Sequence, residues 1–448
     1  MRKSNLLERN WQQLDSAELR ILLAKRIGGP GQYDSREKNP NNTLYLPLAR
    51  SSCKVKLTFK NTKIVAVEPG PAFDAVEWTQ VRDEVQNSLL AGPVKVGREY
   101  SFCTFRVLGS WRGARSGVQV LPAPAGAPRA NIEIADHPFI LEFPLTESAL
   151  PEITNHRRIR EHRRLTLLLN VLLAGRTSFQ PTRSESLWAN VPTENDPFRT
   201  EWVQQSFLAN LGSTVTDSLS KASEDPIEEL DSREYYASGG HDGGPLRVPS
   251  DLDASICRYL HLSPANRDKF DRAAFWMDMA SRQWTISVSS SFASLVSAIE
   301  SLTQRGTIHH LYCDKCKREC QHEVPGATER FRAFLEKYAP GVVHKKQRTE
   351  MYSLRSGILH GSEVMQLDQD LAFGWDPPGW NERELHRELW SVTRIALRNW
   401  LRDPSDPGAR ETSTFSKRRS ALVMMGLGGL ILWIGGAIFA QRKRRMSS

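Results

Sequence analysis

At 448 residues, 40% of them hydrophobic and 25% charged, the chain is long enough for two or three domains with their own cores, which excludes a lone peptide module and wholesale disorder. The formal charge of +9 invites a polyanion reading, but Lys417, Arg418, Arg419, Arg442, Lys443, Arg444 and Arg445 sit at one end. Removing those seven from the 60 basic residues leaves 53 against 51 acidic ones, so overall charge is no argument for nucleic acid.

Residues 1–39 read as an N-terminal extension, and residues 40–213 as an α+β domain. Apolar and polar residues alternate in short runs, first at Cys53, Val55, Leu57 and Phe59 and then over 102–107, 118–121 and 132–134, which is strand periodicity. Residues 76–90 predict a helix ended by Gly92-Pro93, and Pro122 to Pro128 marks a loop. After an apolar run at 139–143, residues 152–174 predict one long helix stopped by Gly175. Its basic stretch, Asn155 to Arg164, has two readings: a guide for phosphate backbone, or the solvated face of a helix whose leucines are buried. The second is the commoner arrangement, and it is the expectation here.

Residues 214–250, rich in Ser, Asp, Glu and Gly, predict an acidic interdomain linker. From 251 to 402 the signal is helical, over 265–284, 288–304, 327–338, 347–360 and 381–402. Phe292, Leu295, Val296, Ile299 and Leu302 form one apolar stripe, and Leu385, Leu389, Val392 and Leu397 another, as in a helical bundle. A basic tether at 403–419 follows. The uncharged run Ala421–Ala440 within 420–441 predicts a membrane span, since twenty helical residues at ~1.5 Å each cover the hydrocarbon core. A basic tail occupies 442–448. The polar N-terminus lacks a signal-peptide core, so the soluble domains are expected in the cytoplasm. The expected fold is therefore an α+β multidomain protein with a β-rich N-terminal region, an all-α helical bundle and a single C-terminal transmembrane helix.

Chemistry concentrates at Arg355-Ser356-Gly357-Ile358-Leu359-His360. Five residues are about 500° of helix, so Arg355 and His360 point roughly 140° apart on a regular one. Gly361 permits a left-handed cap that would let His360 turn away from helical geometry, and a second copy of the chain would bring two arginines and two histidines into one cleft. The stretch Tyr352 to Gly361 resembles the Arg-x4–6-His signature of the HEPN superfamily. Ser297 to Leu302 and Arg330 to Leu335 resemble the ApeA-like group within it. The resemblance covers residues 251–402. It implies a dimeric, metal-independent endoribonuclease in stress response or phage defence. His360 would act as proton-transfer group and Arg355 as phosphoryl-charge stabiliser, while Ser356 would orient the arginine or contact phosphate and Glu300 brace it. Attack by a ribose 2′-hydroxyl restricts the substrate to RNA.

A second cluster, Cys313-x2-Cys316-x3-Cys320-x-His322, follows His309-His310. In a reducing compartment it suggests metal before disulfide, and four protein ligands would make the zinc structural, leaving catalysis without a cofactor. Two functions stand side by side: a membrane-anchored endoribonuclease, and a non-catalytic membrane-tethered module binding RNA or protein. A zinc-dependent hydrolase is disfavoured because the cysteine-rich set offers no open metal position.

Overall fold

A computed structural model of the chain describes residues 15–26, 43–47, 54–60, 63–69, 92–124, 137–174, 177–178, 189–193, 196–203, 214–237, 244–303, 310–313, 318–321, 326–343, 345–369 and 377–404, with isolated helical positions at 76, 79, 80 and 83. The chain divides into two compact units at Asp271/Arg272, and each is treated by itself.

In the first unit, helix α1 (Ser16–Arg26) is followed by an antiparallel meander of β1 (Thr43–Pro47), β2 (Lys54–Lys60) and β3 (Lys63–Pro69). The main sheet is antiparallel throughout. It comprises β4 (Val94–Cys103), β5 (Trp111–Arg112), β6 (Gln119–Pro122) and β7 (His137–Thr146). Helix α2 (Pro151–Leu172) crosses this sheet, and β8 (Thr177–Ser178) pairs with β4. A separate hairpin is formed by β9 (Ala189–Thr193) and β10 (Asp196–Val203), and β11 (Thr214–Thr216) completes the main sheet in the order β11-β4-β7-β6-β5. The sheet's core is apolar from both sides: Phe139, Ile140, Leu141, Phe143 and Leu145 of β7 are buried, and Ile153, Leu165, Leu168, Leu169 and Leu172 of α2 cover it.

The expected linker at 214–250 is not one. Besides β11, it contains β12 (Glu228–Leu230), helix α3 (Ser232–Ala237) and β13 (Arg247–Pro249), with β12 and β13 paired in parallel. Backbone hydrogen bonds from Ile227 to Ser110 and from Leu246 to Arg106 bind it to the first unit, and Tyr236 donates to the Leu172 carbonyl at 3.0 Å. Its anchor is the fully buried Glu142 on β7. That carboxylate accepts from the Ser220 amide (2.9 Å) and hydroxyl (2.5 Å), from Arg98 (3.1 Å) and from Gln119 (3.3 Å). A buried carboxylate without those donors would be strongly unfavourable, so the segment that supplies two of them is held in place. Helix α4 (Leu252–Leu260) also belongs here, since Asp253 accepts from the Arg115 and Ser116 amides.

The boundary falls inside α5 (Pro264–Gln283). The second unit continues with α6 (Val288–Leu302), a two-stranded hairpin of β14 (His310–Cys313) and β15 (Arg318–Gln321), α7 (Ala327–Tyr338), α8 (Lys345–His360), the short α9 (Gln366–Gln369) and α10 (Pro377–Arg402). Both apolar stripes read from the sequence face the interior: Phe292, Leu295, Val296, Ile299 and Leu302 of α6 are buried, as are Leu385, Leu389, Val392 and Leu397 of α10. Phe331, Phe334 and Leu335 of α7 fill the space between.

The expected fold class needs two corrections. The second unit is not all-α, because the connection between α6 and α7 forms the β14–β15 ladder. No helix among the described residues is long and apolar enough to cross a membrane. The two longest, α2 and α10, carry repeated charges along their length, and each ionised side chain would cost several kcal/mol in hydrocarbon. The chain is mixed, with helices and an antiparallel sheet. The run 420–441 expected to span and anchor to a membrane lies outside the described residues, as do 132–134 and most of the helix predicted over 76–90.

Candidate functional site

Helix α8 ends in a Schellman cap. The Ser362 amide bonds the Gly357 carbonyl at 2.9 Å and the Gly361 amide bonds that of Ile358 at 3.1 Å, with Gly361 at φ 71°. The cap thus forms at Gly361, while His360 remains the last helical residue and does not turn away. On a helix regular to that point, Arg355 and His360 lie roughly 140° apart, so one chain does not bring them together.

Each has different surroundings. Arg355 is half-buried, with its Nη2 2.5 Å from Glu300 Oε2 on α6 and its guanidinium 5.6 Å from the centre of the Tyr352 ring. Tyr352 donates its hydroxyl to the other Glu300 oxygen at 2.9 Å, so one carboxylate pins two side chains of α8 to α6. Burial first, then the hydrogen bond to Glu300, push the Tyr352 hydroxyl above its ordinary pKa. Glu300, expected as the brace of Arg355, is its ion-pair partner here. His360 is exposed, and Ser356 is half-buried one turn before it on the same side of the helix.

The sequence reading passed over Glu363. Its amide bonds the Gly357 carbonyl at 3.2 Å, and its side chain lies across the helix there: a Cβ added to Gly357 would stand 2.5 Å from the Glu363 Cδ and 2.6 Å from Oε2. Gly357 and His360 are three residues apart and share a face, which puts this carboxylate on the His360 side of α8. The available signal was a glycine inside a helix, which calls for a reason such as close approach of another group.

Beside the cap lies a groove of about 540 Å³, lined by Ile286, Ile358, Val364 and Leu367 as apolar wall and by Ser287, Ser290, Glu363 and Asp368 among its polar groups. Asp368 caps α6 by accepting from the amides of Val288 (2.7 Å) and Ser289 (2.8 Å) and from the Ser287 hydroxyl (2.8 Å). Burial raises its pKa, but the hydrogen bonds from Ser289, Ser287 and Val288 outweigh burial and hold it below the ordinary carboxylate range. Behind the α6 N-terminus His386 is buried, and Trp284 covers it with ring centres 4.4 Å apart. The single Ser291 hydroxyl proton goes to the Ala280 carbonyl at 2.7 Å, so His386 Nε2 carries a proton and donates to Ser291 Oγ at 2.8 Å. Burial lowers the His386 pKa to about 4.

Four arginines of the basic run on α2 are paired with acids of the same unit, while Arg163 is exposed. Arg157 pairs with Glu18 at 2.8 Å and bonds the Thr146 carbonyl, Arg158 pairs with Glu99, Arg160 with Asp15 and Glu18 at 2.7 Å each, and Arg164 with Asp271 at 3.0 Å. His162 is buried with Nε2 2.5 Å from Ser101 Oγ. Burial, then the nearby Arg158 charge, lower its pKa to about 3. These cations hold α1 and the sheet to α2.

The ladder register pairs Leu311 with Cys320 and Cys313 with Arg318. Cys316 and His322 lie outside the described residues. Among the described residues no group of three or more His, Cys, Asp or Glu is placed to hold a metal ion.

No protein-family model, curated protein or solved structure matches this chain. The HEPN reading therefore rests on the residues of α6 to α8 alone.

Proposed function

We propose that the second unit is a HEPN-like, metal-independent endoribonuclease. The observation that supports it best is the end of α8: Arg355 fixed by Glu300 in the last turns of a helix that finishes at an exposed histidine. His360 would take the proton of a ribose 2′-hydroxyl, whose oxygen attacks the adjacent phosphorus. The 5′-oxygen would leave with a proton returned from a His360 imidazolium, and a 2′,3′-cyclic phosphate would remain. Arg355 would balance charge on the phosphoryl oxygens. Because the two side chains diverge on one helix, a second copy of the chain would supply the complementary partner, which makes the active form a homodimer. Stress response or phage defence is the setting that the resemblance implies. A structural zinc held by Cys313, Cys316, Cys320 and His322 belongs to the same reading and takes no part in catalysis.

One observation favours the alternative of a non-catalytic module that binds RNA or protein. The Arg355 charge is already balanced by Glu300, so a phosphate would have to compete for it. Cleavage of RNA by the full chain in the presence of a chelator separates the two. Chelator-resistant cleavage, lost on Arg355→Ala and on His360→Ala, is the expected result. Cleavage undiminished by His360→Ala would overturn the nuclease reading.

A further inference from the structure

The groove beside the α8 cap has a composition that narrows what can fill it. Ile286 is 81% and Val364 50% exposed, which is a large apolar exposure for side chains bordering a concavity. Among the described residues its lining holds no Lys, Arg or His, so those residues offer no cation to a phosphate. Of its two carboxylates, Asp368 spends both oxygens on the α6 amides and Ser287. Glu363 is different. Its side chain is exposed, it is held against Gly357 on the His360 side of α8, and no described residue pairs with its carboxylate.

We infer that this groove is a base pocket that selects guanine, with Glu363 as the specificity-determining residue, an inference that rests on the reading of His360 as the RNA-facing group. A splayed-out base needs an apolar wall for its face and hydrogen-bonding groups for its edge. The apolar wall is Ile286, Ile358, Val364 and Leu367. The two oxygens of a carboxylate accept two parallel N–H bonds, and guanine is the RNA base whose Watson–Crick edge offers two adjacent donors, N1–H and the N2 amino group. Adenine and cytosine would turn a ring-nitrogen lone pair toward the carboxylate, and uracil would flank its one N–H with two carbonyl oxygens. A site built for two donors rejects bases that lack them, because its polar groups are then left unpaired. Gly361, next to His360 in the chain, lines the groove, so a base held there lies beside the helix end that carries His360.

The test is binding of the four nucleoside 3′-monophosphates to the full chain by calorimetry, a readout that needs no cleavage. The guanylate is expected to bind at least ~10-fold more tightly than the other three. Glu363→Gln should erase that preference, because its amide sets an N–H against one of the guanine donors. Gly357→Ala should weaken guanylate binding with Glu363 still present, since the new methyl group claims the space of the carboxylate. Equal binding of all four nucleotides, or a guanylate preference that survives Glu363→Gln, overturns the proposal. Guanylate selection by a protein that cuts no RNA would remove the nuclease reading and keep the pocket. His360-dependent cleavage without base preference would do the reverse.

Discussion

Acidification should loosen the second unit through His386, and the size of the effect follows from its burial. Its folded pKa is about 4, against roughly 6.5 for an unfolded histidine. Because the folded value is depressed, the unfolded chain binds the extra proton first. The stability that His386 contributes is therefore intact above pH 6.5 and lost as pH falls from there toward 4. At pH 5 the linkage amounts to a loss of ~2 kcal/mol relative to pH 7.5, approaching about 3 kcal/mol below pH 4. His386→Gln tests the cause, since its amide nitrogen can still donate to Ser291 Oγ but does not titrate. Urea unfolding at pH 7.5 and 5.0, with hydrogen exchange of α6 amides as the local probe, should show the wild type losing ~2 kcal/mol more than the variant across that interval. Equal losses in both would refute the assignment of the acid sensitivity to His386. His162, held near 3, adds a second loss of the same sign in the first unit and is untouched by that variant.

Two further results are expected. Glu300→Ala removes the acceptor shared by Arg355 and Tyr352, and with both partners only partly exposed it should cost ~1–2 kcal/mol of stability by chemical denaturation. A loss under ~0.3 kcal/mol would show that the pair does not hold α8 to α6. Metal analysis of freshly purified, reduced protein should find one zinc per chain, absent from Cys313→Ser. A metal-free wild type would remove the zinc reading.

The second unit was legible where burial is local. The apolar stripes on α6 and α10 repeat with helical period, and the helix expected over 327–338 is found at Ala327–Tyr338. The linker was not legible, because what folds it is distant: the Ser220 amide and hydroxyl meet Glu142, 78 residues away, and composition alone cannot show a buried carboxylate in need of donors. The strand expected over 102–107 is instead the end of β4, which begins at Val94, because pairing with β7 along its whole length decides its extent and local alternation does not. The arginines of α2 were misread for the same reason. The acids of Arg157 and Arg160 are Asp15 and Glu18, roughly 140 residues earlier, and those of Arg158 and Arg164 are Glu99 and Asp271, so a charge run looks identical in sequence whether its partners are water or carboxylates.

The candidate site shows how pairing changes the meaning of a motif. In sequence, Arg355 and His360 carry equal weight, but in the fold they are unequal: the arginine is committed to Glu300, while the histidine stands exposed at a helix end. The densest basic run outside the C-terminal residues is likewise committed to acids within its own unit. Attraction of the described surface for a polyanion therefore cannot come from those cations, and a nuclease built here would have to hold RNA by another means. A pocket that grips a base through an apolar wall and one uncommitted carboxylate is such a means. It also predicts weak dependence of nucleotide binding on salt, whereas recognition led by phosphate contacts would weaken steeply as counterions are restored.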